Sequence, residues 1–452
     1  MSWQGKHVAV VGAGRSGLDA ARALLALGAH VTLYDRNPHL TVEAAGWRLI
    51  TGRDIPDWEG LELVVVSPAL PPHHPLFEEA RARHIPVWSE IELGYRLAQA
   101  PIIAVTGTNA KSTTAAFIHH LLTRAGKSAF LCGNIAGTAH DQTLTAAALV
   151  AQRSDWLVAE VSSFQLQNVH QFRPHIAIIT TITPDHLDYH GSFEAYARAK
   201  GRLLHNLQST DWAILNGADA GIQQLLGWLR AEQCHGLHEV ERAGHLITEL
   251  SVGEVDAALE SLTPLASLMR LPLQIGVLVA RLVGCGEAQI WEGVRTFRGI
   301  PHRMEWVGAA GGVAFINNSM CTNAAALEHA LRVVSKPCMV IAGGVDKNGS
   351  IEAMAEAIQR YCRAALLIGR DGERILAALR ERGYSAGQYV GTLERAVECA
   401  MQMAQPGDTV ILAPGCASFD QFRNFIERGE RFRALVKAIE ASWGGKNETY
   451  KA

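Results

Sequence analysis

No uninterrupted apolar run in the 452 residues approaches the roughly 18 to 20 that a bilayer-spanning helix needs, so a membrane protein is not expected. Neither sign of charge is in excess: 41 Lys and Arg stand against 44 Asp and Glu, a net charge of −3. With both signs spread evenly there is no basic face for nucleic acid and no acidic tail, and small-molecule substrates become the expected partners. Cysteine is sparse. Eight residues without a CxxC pair fit reduced thiols in a cytosolic protein. The opening MSWQGKHVAVVGAG enters a strand pattern at once and lacks the apolar core and cleavage site of a signal peptide, so a cytoplasmic location is expected. Repeats, low-complexity tracts and long Pro/Gly/Ser linkers are also missing, which leaves short hinges between domains.

What is present is alternation. Short β-branched runs (HVAVVG, ELVVVSP, IIAVTG, WLVAEV, HIAIITTI, MVIAGG, ALLIG, TVILAPG) alternate with Ala/Leu-rich helix patterns. Buried strands separated by helices predict parallel α/β sheets. Length favours three domains, and three strand–loop starts mark them, at Val8, at Ile102 and near Gly299. The expected division is 1–100, 101–298 and 299–452. The least regular stretch lies between about Ala218 and Leu271. Cys234, His235, His238 and His245 occur there at spacings that match no tetrahedral metal template, and an exposed loop and strand edge is the reading.

Two phosphate-type loops stand out. The first, VAVVGAGRSG, gives GxGxxG at Gly12, Gly14 and Gly17, with Asp35 closing the next strand pattern. Such glycines permit a tight turn and the approach of a diphosphate to a helix N-terminus. By itself this suggests a dinucleotide, and an NAD-dependent dehydrogenase is the reading it would give; GxGxxG alone is a weak signal. The second loop is IIAVTGTNAKSTTAAF. Gly107, Thr108 and Asn109 form the turn, Lys111 would reach the β- and γ-phosphates, and Ser112 would hold Mg²⁺. Ala110 stands where glycine is usual. A left-handed backbone there would cost about 1–2 kcal/mol; a right-handed one, which costs little, is the expectation. Further on, Glu160 ends one strand pattern, His186 lies just beyond another, and Lys200 follows on a helix. Strand ends of parallel sheets gather on one edge, so a carboxylate and an imidazole there could meet the phosphates at a Mg²⁺ site. A hydride-transfer enzyme needs neither that second loop nor those residues.

In order and spacing, VTGTNAKSTT, GNIAG, EVSSFQL, TPDHLDYHGSFEAYARAK, FRGIPHRME, INNSMCTN and APGCASFDQFRNFIERGERF resemble a Mur ligase over essentially the whole chain. The resemblance implies three α/β domains: Rossmann-like, P-loop ATPase-like and Rossmann-like. It is strongest to the members that add D-glutamate to UDP-N-acetylmuramoyl-L-alanine in cytoplasmic peptidoglycan precursor synthesis. On that likeness Gly14, Arg15, Ser16, Asp35, Arg36 and Asn134 would hold the UDP sugar. Gly107 to Thr113, with Arg303 and Asn318, would hold ATP. Ser112, Glu160, His186 and Lys200 would hold two Mg²⁺ ions, Lys200 as a carbamate. Thr322, Lys347, Ser418 and Phe425 would line the amino-acid pocket, and a monomer is implied.

The implied chemistry has two steps: a substrate carboxylate attacks the γ-phosphate of ATP, and the glutamate amine attacks the resulting acyl phosphate, with closure of the third domain excluding water. Four features depart from the family pattern: Ala110, the lack of HNxxN in LPLQIGV at 271 to 277, and Asn318 and Met320 where relatives usually carry Asp and Lys. The last two losses cancel in charge, as an adapted site would allow. Two further readings stay open: a Mur-like protein that binds nucleotide without turnover, and a related ligase using another amino acid such as L-glutamate.

Overall fold

The computed structural model describes residues 2–43, 45–135, 142–255, 266–334, 336–347 and 351–448. It forms two compact units, Met1–Val252 with Leu271–Val294, and Gly253–Arg270 with Arg295–Ala452. Among the described residues no helix is long and apolar enough to cross a membrane.

The larger unit contains two all-parallel sheets. In spatial order the first runs Arg48–Thr51, His30–Asp35, His7–Val11, Leu63–Val66, Val87–Ser89. Chain order reverses direction beside His7–Val11, the switch point where α/β sheets open a crevice. The GxGxxG turn sits there. Gly12 has φ +96°, and a Cβ on Gly17 would lie 1.8 Å from the Gly12 carbonyl oxygen, so strand and helix Arg15–Ala26 approach as only glycine permits.

The second sheet runs Leu246–Ile247, Trp212–Leu215, Ile176–Ile179, Ile102–Thr106, Trp156–Glu160, Ala129–Gly133. Its central strands Ile102–Thr106 and Ile176–Ile179 are buried on both faces and carry the runs IIAVT and IAII, because helices cover both sides. The expected loop around Cys234–His245 is instead mostly helix, His235–Ala243, closed by Gly244 at φ +72°; only Leu246–Ile247 is a strand edge. Leu237 and Val240, one turn apart, are buried beneath it and explain the helix. Residues 256–265 of that irregular stretch lie outside the described residues. LPLQIGV belongs to helix Ala266–Leu282, where Leu273, Ile275 and Val277 are buried. A Cβ on Gly276 would meet the Phe117 ring at 2.3 Å, so this segment is packed core against the phosphate-loop helix.

Helix Glu90–Leu97 ties the first sheet's end to the second sheet's layer. Glu92, fully buried, accepts backbone N–H groups from His170, Gln171 and Phe172 and the Arg96 guanidinium. Glu90 accepts the Thr145 N–H at 2.6 Å on one oxygen, and its other oxygen is buried without a partner. Burial pushes the Glu90 carboxyl up to about 7, against the opposing Thr145 hydrogen bonds. Folded Glu90 therefore holds its proton more tightly than the unfolded chain does. The stability this contributes is full below about pH 4.5 and is lost as pH rises through about 7, a change of roughly 3 kcal/mol. Glu90→Gln is expected to flatten that dependence, so the variant gains on wild type between pH 5 and pH 8 in denaturant midpoint. An identical pH dependence in both proteins would refute it.

The smaller unit holds one six-stranded sheet, Glu305–Ala310, Val313–Asn317, Thr409–Leu412, Cys338–Gly343, Ala364–Ile368, Gly387–Gly391. It departs from the expected all-parallel pattern at one edge. Glu305–Ala310 pairs antiparallel with Val313–Asn317 through Gly311 and Gly312, both at positive φ, the backbone a two-residue hairpin requires.

Candidate active site

The phosphate-type loop leaves strand Ile102–Thr106 and enters helix Lys111–Arg124. Gly107 has φ +148°, and a Cβ there would lie 2.0 Å from Thr180 Oγ1. The loop is fastened to the end of the neighbouring strand: Thr108 N donates to Thr181 O at 2.7 Å, Asn109 N donates to Thr181 Oγ1 at 3.0 Å, and Thr183 N donates to Thr108 Oγ1 at 3.0 Å. Lys111 folds back, its Nζ donating to Thr108 O at 3.0 Å. The helix begins without a side-chain cap and without an acid in its first turn, and a helix N-terminus of that kind favours an anion.

Ala110 corrects the sequence reading. Its backbone is left-handed, φ 66° and ψ −3°, where a right-handed conformation was expected. The fastening to 180–183 imposes that turn, and the Cβ is accommodated at a cost of about 1–2 kcal/mol. Ala110→Gly is therefore expected to lower the KM for ATP, by up to about tenfold, equivalent to ~1.4 kcal/mol. Calorimetric ATP titration alongside the assay checks this; unchanged or weaker binding would show that the strain is not relieved in the nucleotide-bound loop.

Glu160 ends strand Trp156–Glu160 and is 2% exposed. Its Oε1 accepts Asn134 Nδ2 at 3.1 Å, while Oε2 is buried with no hydrogen-bond partner. An unpaired buried carboxylate oxygen is costly, and a cation is what would satisfy it. His186 has a left-handed backbone, φ 51° and ψ 35°, and precedes helix Leu187–His190; its half-exposed ring lies 4.9 Å from Phe164.

Lys200, on helix Phe193–Gly201, is 2% exposed. Its Nζ donates to Gly107 O at 2.9 Å and lies 4.6 Å from the Tyr196 ring centre. Burial, reinforced by Lys111, holds this amine well below the ordinary lysine range, against the pull of Asp185 and Glu160. Asn134 donates to Glu160, and GNIAG from Ala136 onward lies outside the described residues.

At the first sheet, Gly14 precedes helix Arg15–Ala26 with open space where a side chain would be. Arg15 reaches Gly133 O and Ile135 O at 3.4 Å, Ser16 is half-buried and Arg36 is exposed. Asp35 accepts N–H groups from Ala13 and Asn37, so it shapes the turn.

In the smaller unit Arg303 is exposed between His302 and Met304, both at positive φ. Asn318 Oδ1 accepts Met304 N at 3.1 Å, which uses the side chain to hold that turn. Ser418 is buried, Phe425 half-buried, and Thr322 exposed; the exposed Lys347 carries its ammonium 4.6 Å from the centre of the Phe419 ring.

Residues 105–258 match the Mur ligase middle domain, and 302–416 the Mur ligase glutamate ligase domain. Residues 7–50 match the pyridine nucleotide-disulphide oxidoreductase model, which spans little more than the GxGxxG turn and its two strands. A UDP-N-acetylmuramoylalanine--D-glutamate ligase of Gloeobacter violaceus is 40% identical over 96% of this chain and 99% of its own length. One from Geobacillus sp. (strain WCH70) is 33% identical over 97% and 99%. The chain belongs to the Mur ligase family. The crystal structure of the UDP-N-acetylmuramate-alanine ligase MurC from Thermotoga maritima, 16% identical, covers 96% of this chain and 99% of its own with a TM-score of 0.51, a likeness of fold. Membership places ATP-dependent ligation ahead of the dehydrogenase reading of the first loop.

The sequence did not single out Arg428. It is 1% exposed and donates to Ser319 Oγ, Ser319 O and Cys416 O, joining the segments that carry Asn318, Thr322 and Ser418 in this Mur ligase. Burial pulls its guanidinium down to about 10. In ERGERF it reads as one charge of an exposed run, so only the fold reveals it.

Proposed function

We propose that this chain joins D-glutamate to UDP-N-acetylmuramoyl-L-alanine at the expense of ATP, in peptidoglycan precursor synthesis. The near-full-length match to D-glutamate ligases carries the reading, and the buried, unpartnered Glu160 Oε2 supports it. The substrate carboxylate attacks the γ-phosphorus, ADP leaves, and the amine displaces phosphate from the acyl phosphate. Lys111 and the N-terminus of its helix take up phosphate charge. Arg15, Ser16, Asp35, Arg36 and Asn134 are assigned to the UDP sugar, Arg303 and Asn318 to ATP, and Thr322, Lys347, Ser418 and Phe425 to glutamate.

The donors fit Mg²⁺. The buried, unpartnered Glu160 Oε2 is a carboxylate oxygen such as Mg²⁺ takes, one or two from the protein with phosphate and water completing its shell. Ser112, Glu160, His186 and a carbamylated Lys200 would hold two such ions. When bound, Mg²⁺ supplies positive charge against the phosphate oxygens. The domains are assigned as 1–100, 101–298 and 299–452, and the protein acts as a cytoplasmic monomer. Phosphate release with UDP-N-acetylmuramoyl-L-alanine and a panel of D- and L-amino acids tests the reading. D-Glutamate is expected to be the one strong substrate. Preference for another amino acid, or no release with any, would overturn it.

A further inference from the structure

His190 ends helix Leu187–His190, is 8% exposed, and has no role in the assignments above. Its Nδ1 lies 3.0 Å from Gln167 Nε2 and its Nε2 lies 3.0 Å from Ser163 Oγ. The amide nitrogen can only donate, so Nδ1 accepts and the ring hydrogen on Nε2 is donated to Ser163. One tautomer satisfies both contacts. Ser163 and Gln167 lie one turn apart in the segment that begins three residues after Glu160, and His190 lies one turn after His186. The imidazole thus clasps the segment that follows Glu160 to the helix that follows His186. The Phe164 ring fills the space between, 4.9 Å from His186, 4.4 Å from Tyr189 and 5.5 Å from His190. His186 itself keeps a left-handed backbone, which persists only where its surroundings over-determine it.

We propose that His190 is a positioning residue that sets how His186 presents its imidazole relative to the Glu160 carboxylate. This rests on the magnesium reading of those two residues given above. Metal sites depend on such outer partners, whose loss typically costs about 10–100-fold in metal affinity.

The test uses the full chain with a non-hydrolysable ATP analogue and Mn²⁺ as the probe, bound ion being read by electron paramagnetic resonance. His190→Ala is expected to bind Mn²⁺ about tenfold or more weakly, while affinity for the analogue in EDTA stays within about twofold of wild type. His190→Gln, whose amide can accept from Gln167 and donate to Ser163, is expected to recover most of the loss. Mn²⁺ affinity unchanged in His190→Ala would overturn the proposal; so would parallel loss of Mn²⁺ and metal-free analogue binding, which marks a merely structural clasp. Should His190→Ala fail to fold, Gln167→Leu removes the contact that fixes the tautomer and carries the same expectation and the same refutation. Glu160→Ala separates the two levels. If it retains wild-type Mn²⁺ binding, the magnesium reading has failed, and the positioning role falls with it; if it loses binding while His190→Ala does not, only the positioning role falls.

Discussion

Glu160→Gln and Lys111→Ala are each expected to lower ligation about a hundred- to a thousandfold while leaving the fold intact. On the proposed assignment both groups act on charge that develops at the phosphates, where removing one fixed electrostatic contact typically costs about 10²–10³ in rate. The stability side makes the expectation sharper for Glu160. Its Oε2 is buried without a partner, so the folded protein already bears the cost of an unsatisfied carboxylate. A neutral amide of the same volume relieves the buried charge and keeps an oxygen for Asn134 Nδ2. Glu160→Gln should therefore unfold within about 1 kcal/mol of wild type. Steady-state ligation beside thermal unfolding checks both halves. Near-normal turnover would remove Glu160 from the site, and large destabilisation would make it a structural residue.

How far the sequence reached depended on whether the information was local. The strand–turn–helix that carries Lys111 was legible because Gly107 to Thr113 are contiguous, and Gly107, Lys111 and Ser112 each have a chemical reason to be there. Glu160, His186 and Lys200 were legible as residues at strand ends and on the following helix, since parallel strands bring such ends to one edge. The backbone sign at Ala110 was not. Alanine's own preference is right-handed, and the fastening of Thr108 and Asn109 to Thr181 and Thr183, some seventy residues away, overrides it. Separation along the chain likewise hid the clasp of His190 on Ser163 and Gln167, 27 and 23 residues away, and the links of Arg428 to Ser319 and Cys416, 109 and 12 residues away. Helix His235–Ala243 was missed for a different reason. Its signals, Leu237 with Val240 and a terminal Gly244, were present, but they lay among histidines and acids whose mixed polarity hid the period.

Lys200→Ala is expected to lose ligation and to regain part of it when short carboxylic acids are added. The argument begins with the amine. A lysine that is 2% exposed, hydrogen-bonded to Gly107 O and facing Lys111, is held well below its usual pKa, burial being the larger cause and Lys111 the next. At neutral pH its neutral form, the one that can attack carbon dioxide, is therefore favoured far beyond that of a surface lysine. Attack on carbon dioxide would form an N–C bond as one C–O π bond opens onto oxygen, the nitrogen would release its proton to solvent, and the carbamate would carry a negative charge near Lys111, where a second cation is disfavoured. Carbamylation thus removes the electrostatic conflict that depresses the amine. An acetate or formate entering the space left by alanine can restore that negative charge, whereas nothing of the kind could replace a cationic lysine. Wild-type activity should accordingly fall in buffer stripped of carbon dioxide and return with bicarbonate. Absence of rescue in Lys200→Ala, together with wild-type activity indifferent to bicarbonate, would show that Lys200 works as an unmodified amine holding the Gly107 turn.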